Sequence, residues 1–544
     1  MFDAYNNFKS HMGKWRDFLA CSTETSSERG EGNSDEAGEY VKKDRQLKVV
    51  NEVLMGAVCN PKMLQDFISP EEAKMGSTGD CKNIHWIQDR LDAHQQEAVA
   101  KALNTDTLCF IQGPPGTGKT TVITEICLQL LRINPTMRIL VCSETHVAVD
   151  NLIEKFHKLK EKGVVKGLNC FRAYTKSKSE NKAIQEASLD WHLNDYFSNL
   201  QKSCIGDNIA DSLAEIFSYH MNDLTKELML NADIVGVTCN SLAKNNFSAN
   251  ESFDYLIFDE VCKATLPEIL IPLSICKRAI LVGDPKQLPP VFLQEDQEIM
   301  ERVDALELEK YMYIDTLFDR LPLGKKKFLG NQYRMTNEIG DVISKHFYDS
   351  KLKNGRNESI PNSILWCDYV PTRQWGDEEG SPYNMDEVEI VMQLLDGLKE
   401  KGHQEIAIIS PYKAQKRRLK EAIREENYSN LSIDIDTIDS FQGKDADVVL
   451  FCITRSMGSL YFFSNPRRMN VALSRAKNLC CIIGYSQFAI QNKTLDNIYN
   501  AIPHKFFSLN DRNIGLGKSD ENTNKIRQEK HCSDKSRKRN KYNR

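Results

Sequence analysis

A glycine-rich segment constrains the fold of this chain more than any other feature. It reads Gly113-Pro114-Pro115-Gly116-Thr117-Gly118-Lys119-Thr120, and it matches the phosphate-binding pattern G-x-x-x-x-G-K-[ST] at every specified position. An apolar run at 108–111 precedes it, and the apolar spacing over 120–133 is that of a helix. A chance glycine turn does not require this order of strand, loop and helix. The pattern therefore predicts that the segment, with Thr121 after it, binds the phosphates of a nucleoside triphosphate.

The residue types of the glycine loop suit this chemistry. Gly113, Gly116 and Gly118 have no Cβ, so backbone N–H groups can approach the phosphate oxygens closely. Lys119 can reach the β- and γ-phosphates, and the hydroxyl of Thr120 can bind Mg²⁺. We therefore predict a nucleoside triphosphate and Mg²⁺ as cofactors.

The composition is that of an ordinary globular protein of several domains, with 544 residues, 41% hydrophobic and 27% charged. No run approaches the roughly 18 apolar residues that a membrane span requires, and the first 20 residues lack the apolar core of a signal peptide. The 16 cysteines include no C-x-x-C pair, so we interpret most of them as buried thiols and expect no zinc. We expect a monomeric, cytoplasmic protein without membrane contact. The net charge of −5 means that any nucleic-acid binding must come from a local basic groove or tail.

Two blocks of the chain alternate short apolar strands with helical stretches. This alternation is typical of parallel sheets that are covered by helices on both faces. The first block spans 86–322 and is interrupted at about 173–230 by a charged helical insertion, and the second spans 323–510. We therefore predict an α/β fold with two tandem parallel-sheet domains.

Both ends of the chain are predicted to lie outside these blocks. Residues 1–85 contain a short amphipathic helix, with Met12 and Trp15 on its apolar stripe, and a polar acidic linker at 21–39 that we expect to be disordered. The polar face of the helix is not strongly basic, so we expect its stripe to pack on this protein's own core. Residues 511–544 are rich in Lys and Arg and are predicted to be a disordered tail. A solubilising end, a nucleic-acid tether and a nuclear-import signal are alternative interpretations of that tail.

Polar residues after two later strands fit the remaining parts of a triphosphate-hydrolysing site. Asp259 and Glu260 follow the apolar run 255–258. Asp259 suits Mg²⁺ binding, and Glu260 can orient or deprotonate the attacking water. Gln287 follows another strand in a Gly-Asp-Pro turn and is a candidate γ-phosphate sensor, because its amide both donates and accepts hydrogen bonds.

Two arginines of the second block can stabilise the charge that develops on a transferred phosphate. They are Arg334, in the run Gln-Tyr-Arg-Met, and Arg475, in the run Asn-Val-Ala-Leu-Ser-Arg-Ala. A planar, permanently charged guanidinium suits this task. Most surface arginines are solvated, so the assignment depends on the order of the motifs around them.

The motifs between residues 91 and 485 together resemble superfamily 1B helicases of the Upf-like, nonsense-mediated-decay type. In chain order they read Leu91-Asp92-Ala93-His94-Gln95, the glycine loop, Val141-Cys142-Ser143-Glu144-Thr145-His146-Val147-Ala148-Val149-Asp150, Asp259-Glu260-Val261-Cys262-Lys263-Ala264, Gly283-Asp284-Pro285-Lys286-Gln287-Leu288, Gln332-Tyr333-Arg334-Met335, Asp439-Ser440-Phe441-Gln442-Gly443-Lys444-Asp445 and the arginine run at 470–476.

The resemblance implies two RecA-like domains with ATP bound in the cleft between them. It implies that Gln95 reads the adenine and that Arg334 and Arg475 act as arginine fingers from the second domain. It also implies nucleotide contacts for Gly443 and Asp445. The aspartate stands where the family usually has a ribose-contacting glutamate.

The resemblance further implies that single-stranded nucleic acid crosses both domains. The implied contacts are Thr145, His146, Thr238, Pro411, Tyr412, Thr437 and Ser440. Hydroxyls and loop amides can hold phosphates, and Tyr412 offers a stacking face. The chain departs from the family at His146, where Asn is common, and at Thr336, where His is usual.

These implications favour an ATP-dependent helicase or translocase that moves on RNA or DNA, with 5′-to-3′ polarity. An ATP-switched clamp that holds nucleic acid without unwinding is the alternative, and the short, polar region before Gln95 favours it. A P-loop kinase or GTPase is a third hypothesis, but it leaves the second block unexplained. The motifs do not distinguish RNA from DNA, because the two share backbone contacts.

Overall fold

The computed structural model describes residues 10, 12–17, 19–20, 34–68, 84–173, 181–193, 219–244, 247, 251–290, 305, 322–373, 376–401, 405–424, 428, 430–441 and 443–509. Two parallel β-sheets organise this part of the chain, one of seven strands and one of six. Helices cover both sheets, which confirms the predicted α/β class with two RecA-like units. We call residues 84–328 the first lobe and residues 331–509 the second lobe.

The first lobe contains the seven-stranded sheet, and helices precede this lobe in the chain. Their elements are α1 (Ser34–Leu54), α2 (Pro61–Ile68), α3 (Ala93–Leu103), β1 (Leu108–Gln112), α4 (Lys119–Ile133), β2 (Ile139–Ser143), α5 (His146–Glu161), β3 (Cys170–Arg172), α6 (Lys182–Glu186), α7 (Met221–Asn231), β4 (Ile234–Thr238), α8 (Cys239–Leu242), β5 (Phe253–Phe258), α9 (Leu266–Ser274), β6 (Cys276–Gly283) and β7 (Lys326–Phe328). The strands are all parallel, in the order β3-β4-β2-β5-β6-β1-β7.

Successive residues of β1 pack into different hydrophobic cores. Leu108 and Phe110 belong to one core, whereas Cys109 and Ile111 belong to another. Both faces of the strand are therefore buried, as expected when helices cover a parallel sheet on both sides. This explains why β1 reads as a continuous apolar run without alternation.

The N-terminal helices complete one of these cores. Met12 and Trp15 are both 1% exposed and pack in the same core as the first sheet, which confirms that the amphipathic stripe packs on the protein itself. The predicted linker at 21–39 is too long, because α1 already begins at Ser34. Val50 and Val53 of α1 are buried in this core, and such packing stabilises a helix whose polar first turns resemble a linker.

The second lobe contains the six-stranded sheet. Its elements are β8 (Asn331–Gln332), α10 (Asn337–Phe347), β9 (Lys353–Asn354), β10 (Ile364–Asp368), β11 (Gly376–Glu378), β12 (Ser381–Tyr383), α11 (Met385–Lys401), β13 (Glu405–Ser410), α12 (Lys413–Arg424), β14 (Ser432–Thr437), β15 (Ala446–Cys452), α13 (Pro466–Leu473), β16 (Ala476–Ile483), α14 (Ser486–Ala489), α15 (Lys493–Tyr499) and β17 (His504–Phe506). The sheet order is β14-β13-β15-β16-β10-β17, and its neighbouring strands are parallel.

Parts of the predicted organisation fall outside the described residues. The helical insertion contributes α6 and α7 at its two ends, while residues 174–180 and 194–218 are not described. The predicted basic tail at 511–544 also lies outside the described residues. Among the residues that are described, no helix combines the length and the apolar character needed to cross a bilayer.

The carboxyl ends of parallel strands meet at one edge of a sheet, and the predicted site residues follow such ends. In the first lobe the glycine loop follows β1, Asp259 follows β5, and Asp284 follows β6. The two lobes meet at this edge, where the N–H of Tyr333 donates to the carbonyl oxygen of Gly116 at 2.8 Å.

Candidate active site

The glycine loop is fixed to the neighbouring strand of the first sheet. The N–H of Gly113 donates to the carbonyl oxygen of Gly283, at the end of β6, at 2.9 Å. Gly116 and Gly118 have φ angles of +73° and +77°, a region that residues with a Cβ rarely adopt. A Cβ on Gly116 would also lie 2.6 Å from the Cβ of Arg334. Glycine is therefore required here by the backbone and by the closeness of the second lobe.

Gln95 contacts the glycine loop from the start of α3. Its Nε2 donates to the carbonyl oxygen of Thr117 at 3.0 Å, and its Oε1 accepts from the N–H of Asp92 at 3.0 Å. The carboxylate of Asp92 accepts from the N–H of Gln95 in return, which makes a capping box. Gln95 is thus placed to hold the loop, and its contact with adenine stays a prediction.

Lys119 and Glu260 form an ion pair in the cleft. The Nζ of Lys119 donates to the carbonyl oxygen of Gly113 at 3.0 Å and lies 3.6 Å from Oε1 of Glu260. Burial opposes the ionisation of Glu260, but Lys119 and Arg475 bring the pKa of this carboxyl below its ordinary value. Glu260 also has a φ of +53°, an uncommon backbone conformation that clusters at functional sites. An ionised carboxylate held in this way suits the orientation of a water molecule.

Asp259 has the opposite electrostatic character. It is 5% exposed, and burial together with the negative charge of Glu260 raises the pKa of Asp259. A cation beside such a group favours its ionised form. The Asp259 carboxylate and the Thr120 hydroxyl, which line the same cleft, are the oxygen ligands that Mg²⁺ prefers. The residues present therefore fit a magnesium ion.

Gln287 is fixed to a buried carboxylate after β6. Its Nε2 donates to Oδ2 of Asp284 at 3.0 Å, and only 3% of its surface is exposed. The Oη of Tyr348, from the second lobe, donates to the same Oδ2 at 2.5 Å. This part of the site therefore joins the two lobes.

Arg334 and Arg475 bring positive charge from the second lobe. The Nη2 of Arg334 lies 2.8 Å from Oδ2 of Asp445. Arg475 donates through Nε to the carbonyl oxygen of Val471 at 2.9 Å and through Nη1 to that of Lys444 at 3.1 Å. Burial and the positive charge of Arg334 lower the pKa of Arg475. The binding of an anion beside two guanidinium groups is favourable, because it offsets the repulsion between their positive charges.

These groups line one cleft between the lobes, with a volume of about 570 Å³. The predicted residues that line it are Pro114, Pro115, Gly116, Thr117, Gly118, Lys119, Thr120, Asp259, Glu260, Gln287, Arg334, Gly443, Asp445 and Arg475. Gln95, Gly113 and Thr121 are not among the residues that line it. The glycine loop comes from one lobe and both arginines from the other, so the cleft is a composite site.

The residues of the cleft that escape sequence-based prediction include Tyr333, Arg356 and Lys477. The Oη of Tyr333 donates to Oδ2 of Asp92 at 2.6 Å, and Nη1 of Arg356 donates to the carbonyl oxygen of Arg334 at 2.8 Å. Tyr333 and Lys477 lie within two residues of the predicted arginines, so their closeness to the arginine motifs could have identified them. Arg356 lies in a loop between motifs, and its local sequence gives no signal.

The residues implied to contact nucleic acid follow the carboxyl ends of four strands. Thr145 follows β2, Thr238 ends β4, Pro411 follows β13 and Thr437 ends β14. Because β2 pairs with β4 and β13 pairs with β14, these residues form one group on each lobe. The hydroxyl of Ser440 lies 3.1 Å from that of Thr437. Thr145 also lines the cleft of the glycine loop, so the group on the first lobe approaches the candidate nucleotide site.

Arginine side chains contact two of these residues. Nδ1 of His146 lies 2.9 Å from Nη2 of the buried Arg172. The Oη of Tyr412 accepts from Nε of Arg455 at 2.9 Å, and the Arg455 guanidinium lies 5.4 Å from the centre of the tyrosine ring. The partner of His146 provides a structural reason for a histidine at this position. The nucleic-acid contact stays a prediction for all seven residues.

Comparisons with known proteins agree with this geometry. Two family models, each described as an AAA domain, match this chain, one at residues 90–221 and 207–295 and the other at residues 313–487. The DNA polymerase alpha-associated DNA helicase A of Saccharomyces cerevisiae is 27% identical over 479 residues, which cover 78% of this chain and 69% of the relative. An uncharacterized ATP-dependent helicase of Methanocaldococcus jannaschii is 28% identical, with 77% and 70% covered.

Other relatives are much longer than the matched region. Regulator of nonsense transcripts 1 of Caenorhabditis elegans is 30% identical over 443 residues, which cover 75% of this chain but 39% of the relative. Among solved structures, an arterivirus nonstructural protein 10 helicase is 14% identical, and the match covers 74% of this chain and 63% of the viral chain. Its TM-score of 0.36 is too low to support a functional comparison. The motifs, the composite cleft and the named relatives agree: the chain belongs to the superfamily 1B helicases of the Upf-like type and is an ATP-dependent enzyme.

Proposed function

We propose that this protein is an ATP-driven motor that moves 5′ to 3′ along a single strand of RNA or DNA. In this proposal, movement separates paired strands or displaces bound protein. The observation that carries the proposal is the composite cleft, in which the glycine loop of the first lobe faces Arg334 and Arg475 of the second. A site of this kind makes the relative position of the lobes depend on the nucleotide.

Six side chains of the cleft have roles in the proposed hydrolysis. Lys119 binds the β- and γ-phosphates, and Thr120 and Asp259 would hold Mg²⁺, which when bound supplies positive charge beside the phosphates. Glu260 orients and deprotonates the attacking water. Arg334 and Arg475 stabilise the charge that develops on the γ-phosphoryl group.

The coupling follows from the partners of the arginines. Arg334 is paired with Asp445 at 2.8 Å, so a γ-phosphate competes with this carboxylate for the guanidinium. Binding of ATP favours the arrangement in which both arginines contact the phosphate, and hydrolysis removes that preference. Alternation between the two arrangements moves one lobe relative to the other along the strand.

Nucleic acid is proposed to cross the carboxyl edges of both sheets. The hydroxyls of Thr238 and Thr437, near the ends of β4 and β14, suit contacts with phosphates, and Tyr412 suits contact with a base. The two edges belong to different lobes, which is what a stepwise grip on one strand requires. We assign the motor domains to 86–322 and 323–510 on the same reasoning.

Nucleic-acid-stimulated ATP hydrolysis tests this function. Phosphate release is measured with matched single-stranded DNA and RNA oligonucleotides at two salt concentrations, beside Glu260→Gln as the inactive control. The proposal predicts stimulation that weakens at high salt, because phosphate contacts release counterions. Turnover that is indifferent to both oligonucleotides contradicts it. A forked duplex with a 5′ single-stranded arm then tests unwinding, and stimulated hydrolysis without strand displacement indicates an ATP-switched clamp.

A further inference from the structure

A tyrosine outside the sequence motifs lies at the contact between the lobes. Tyr348 follows the last residue of α10 and is 3% exposed. Its Oη donates to Oδ2 of Asp284 at 2.5 Å and accepts from Nδ2 of Asn470 at 2.8 Å. This hydroxyl therefore connects a carboxylate of the first lobe with an amide of the second.

On the side of the first lobe, the connection reaches Gln287. Oδ2 of Asp284 accepts from Nε2 of Gln287 at 3.0 Å, and Oδ1 accepts from Nε2 of Gln112 at 3.3 Å. Burial raises the pKa of Asp284, and Lys119 together with the hydrogen bonds from Tyr348 and Gln287 opposes this rise. The orientation of the Gln287 amide in the cleft thus depends on a carboxylate that Tyr348 helps to hold.

On the side of the second lobe, the connection reaches the helix that precedes Arg475. Asn470 lies in α13, is 0% exposed, and donates through the same Nδ2 to the carbonyl oxygen of Lys286 at 2.7 Å. The next residue of this helix supplies the carbonyl oxygen of Val471, which accepts from Nε of Arg475 at 2.9 Å. One short helix therefore contacts both Tyr348 and an arginine of the cleft.

We propose that Tyr348 is a positioning residue that transmits the position of α13 to Gln287 through Asp284. The inference rests on the proposed function, because it concerns ATP hydrolysis in the same cleft. Tyr348 does not touch the nucleotide in this account. It acts when the second lobe moves. A shift of Asn470 then displaces the hydroxyl of Tyr348 and, through it, the carboxylate of Asp284. This carboxylate orients the amide of Gln287 that senses the γ-phosphate.

A purely structural tyrosine is the competing explanation. A buried hydroxyl needs hydrogen-bond partners wherever it lies, and its removal would lower stability in any case. The two explanations differ in their dependence on Gln287. A structural tyrosine affects activity whether or not Gln287 is present, whereas a positioning tyrosine has no effect once the residue that it positions is gone.

The experiment is a double-mutant cycle with Tyr348→Phe and Gln287→Ala, measured as kcat and KM for ATP with saturating single-stranded oligonucleotide. We expect Tyr348→Phe to lower kcat by about tenfold, in line with the loss of one positioning hydrogen bond, with KM changed less than about twofold. In the Gln287→Ala background, Tyr348→Phe should have no further effect. Tyr428→Phe, which removes a partly buried hydroxyl that donates to Asp396 at 2.8 Å, is the matched control and should retain wild-type kcat.

The outcomes separate this inference from the proposed function. If the oligonucleotide does not stimulate the wild-type protein, the proposed function fails. If stimulation is intact but Tyr348→Phe equals wild type, or lowers kcat equally in both backgrounds, only the role of Tyr348 is overturned. Should Tyr348→Phe lose its thermal unfolding transition, Asn470→Ala takes its place, because it removes the hydrogen bond to Tyr348 together with that to the carbonyl oxygen of Lys286. The same cycle is then measured with Gln287→Ala. If the effects of the two substitutions on kcat are additive, the inference is overturned.

Discussion

Nη2 of Arg334 lies 2.8 Å from Oδ2 of Asp445, so the proposed arginine finger is paired with a carboxylate of its own lobe. Burial opposes the ionisation of Asp445, but Arg334 and Lys477 bring its pKa below the ordinary value. Both partners of the Arg334–Asp445 pair line the cleft. In the proposed mechanism, the γ-phosphate therefore competes with Asp445 for Arg334.

This pairing predicts that Asp445→Asn raises ATP turnover in the absence of nucleic acid. Asparagine keeps the shape and one acceptor oxygen but removes the charge that restrains Arg334. We expect an increase of roughly three- to tenfold, which corresponds to one weakened charged hydrogen bond. Phosphate release measures it. Asp434→Asn, which breaks a 2.8 Å ion pair with Lys444, is the control and should leave turnover unchanged. A decrease in Asp445→Asn would show that the carboxylate assists the reaction instead of restraining it.

Lys119→Ala and Glu260→Gln are each expected to abolish nucleic-acid-stimulated hydrolysis, with losses of at least about a hundredfold. The two variants should differ in binding. Lys119→Ala removes a phosphate ligand and weakens ATP binding, whereas Glu260→Gln impairs the step that activates water and retains ATP. Phosphate release and titration with a fluorescent ATP analogue distinguish the two losses. Near-normal turnover in either variant would contradict the roles that we propose.

Tyr412→Ala is predicted to weaken binding of single-stranded nucleic acid by about tenfold, within the range for loss of one stacked aromatic ring. The ring is already oriented by Arg455, whose Nε donates to the tyrosine Oη at 2.9 Å. Fluorescence anisotropy with a labelled oligonucleotide measures the affinity. Phe506→Ala, at an exposed aromatic residue of β17, is the control. Equal affinities for the two variants would exclude Tyr412 from the nucleic-acid path.

A buried carboxyl in the second lobe predicts how stability depends on pH. Glu387 accepts from the N–H of Thr454 at 2.8 Å, and Thr454 has a φ of +73°. Burial raises the pKa of Glu387 to about 8 from 4.5. Because the folded protein binds this proton more tightly than the unfolded chain, the contribution is fully present below pH 4.5 and is lost as the pH rises to about 8.

Glu387→Gln tests this dependence, because glutamine is neutral at every pH. The wild-type Tm should fall between pH 5.5 and pH 8 by more than the Tm of the variant, and the two slopes should agree above that interval. Thermal unfolding in a series of buffers of equal ionic strength gives both profiles. Parallel profiles over the whole range would show that Glu387 is ionised throughout.

Local patterns allowed much of this site to be predicted before the fold was known. The glycine loop, Asp259 and Gln287 each follow an apolar strand, and parallel strands bring such ends together without further information. Arg334 and Arg475 were identified only through the family's order of motifs, because an isolated arginine carries no local signal.

Contacts between distant parts of the chain could not be predicted in this way. Arg356 and Tyr348 lie outside the motifs. Arg356 contacts Arg334 through the folding of the second lobe, and Tyr348 contacts Asp284 because the second lobe packs against the first. The helical start at Ser34 was also missed, because the stabilising residues of α1 lie several turns later. Packing, and not local composition, decides these features.

The composite cleft is tested most directly by ATP turnover of Arg334→Ala at saturating ATP and single-stranded oligonucleotide. Arg424→Ala, an exposed arginine at the end of α12, is the matched control in the same lobe. If the second lobe supplies the charge that stabilises the transferred phosphate, Arg334→Ala should lose about a thousandfold in kcat while ATP still binds. Turnover equal to that of wild type and Arg424→Ala would contradict a site shared between the lobes.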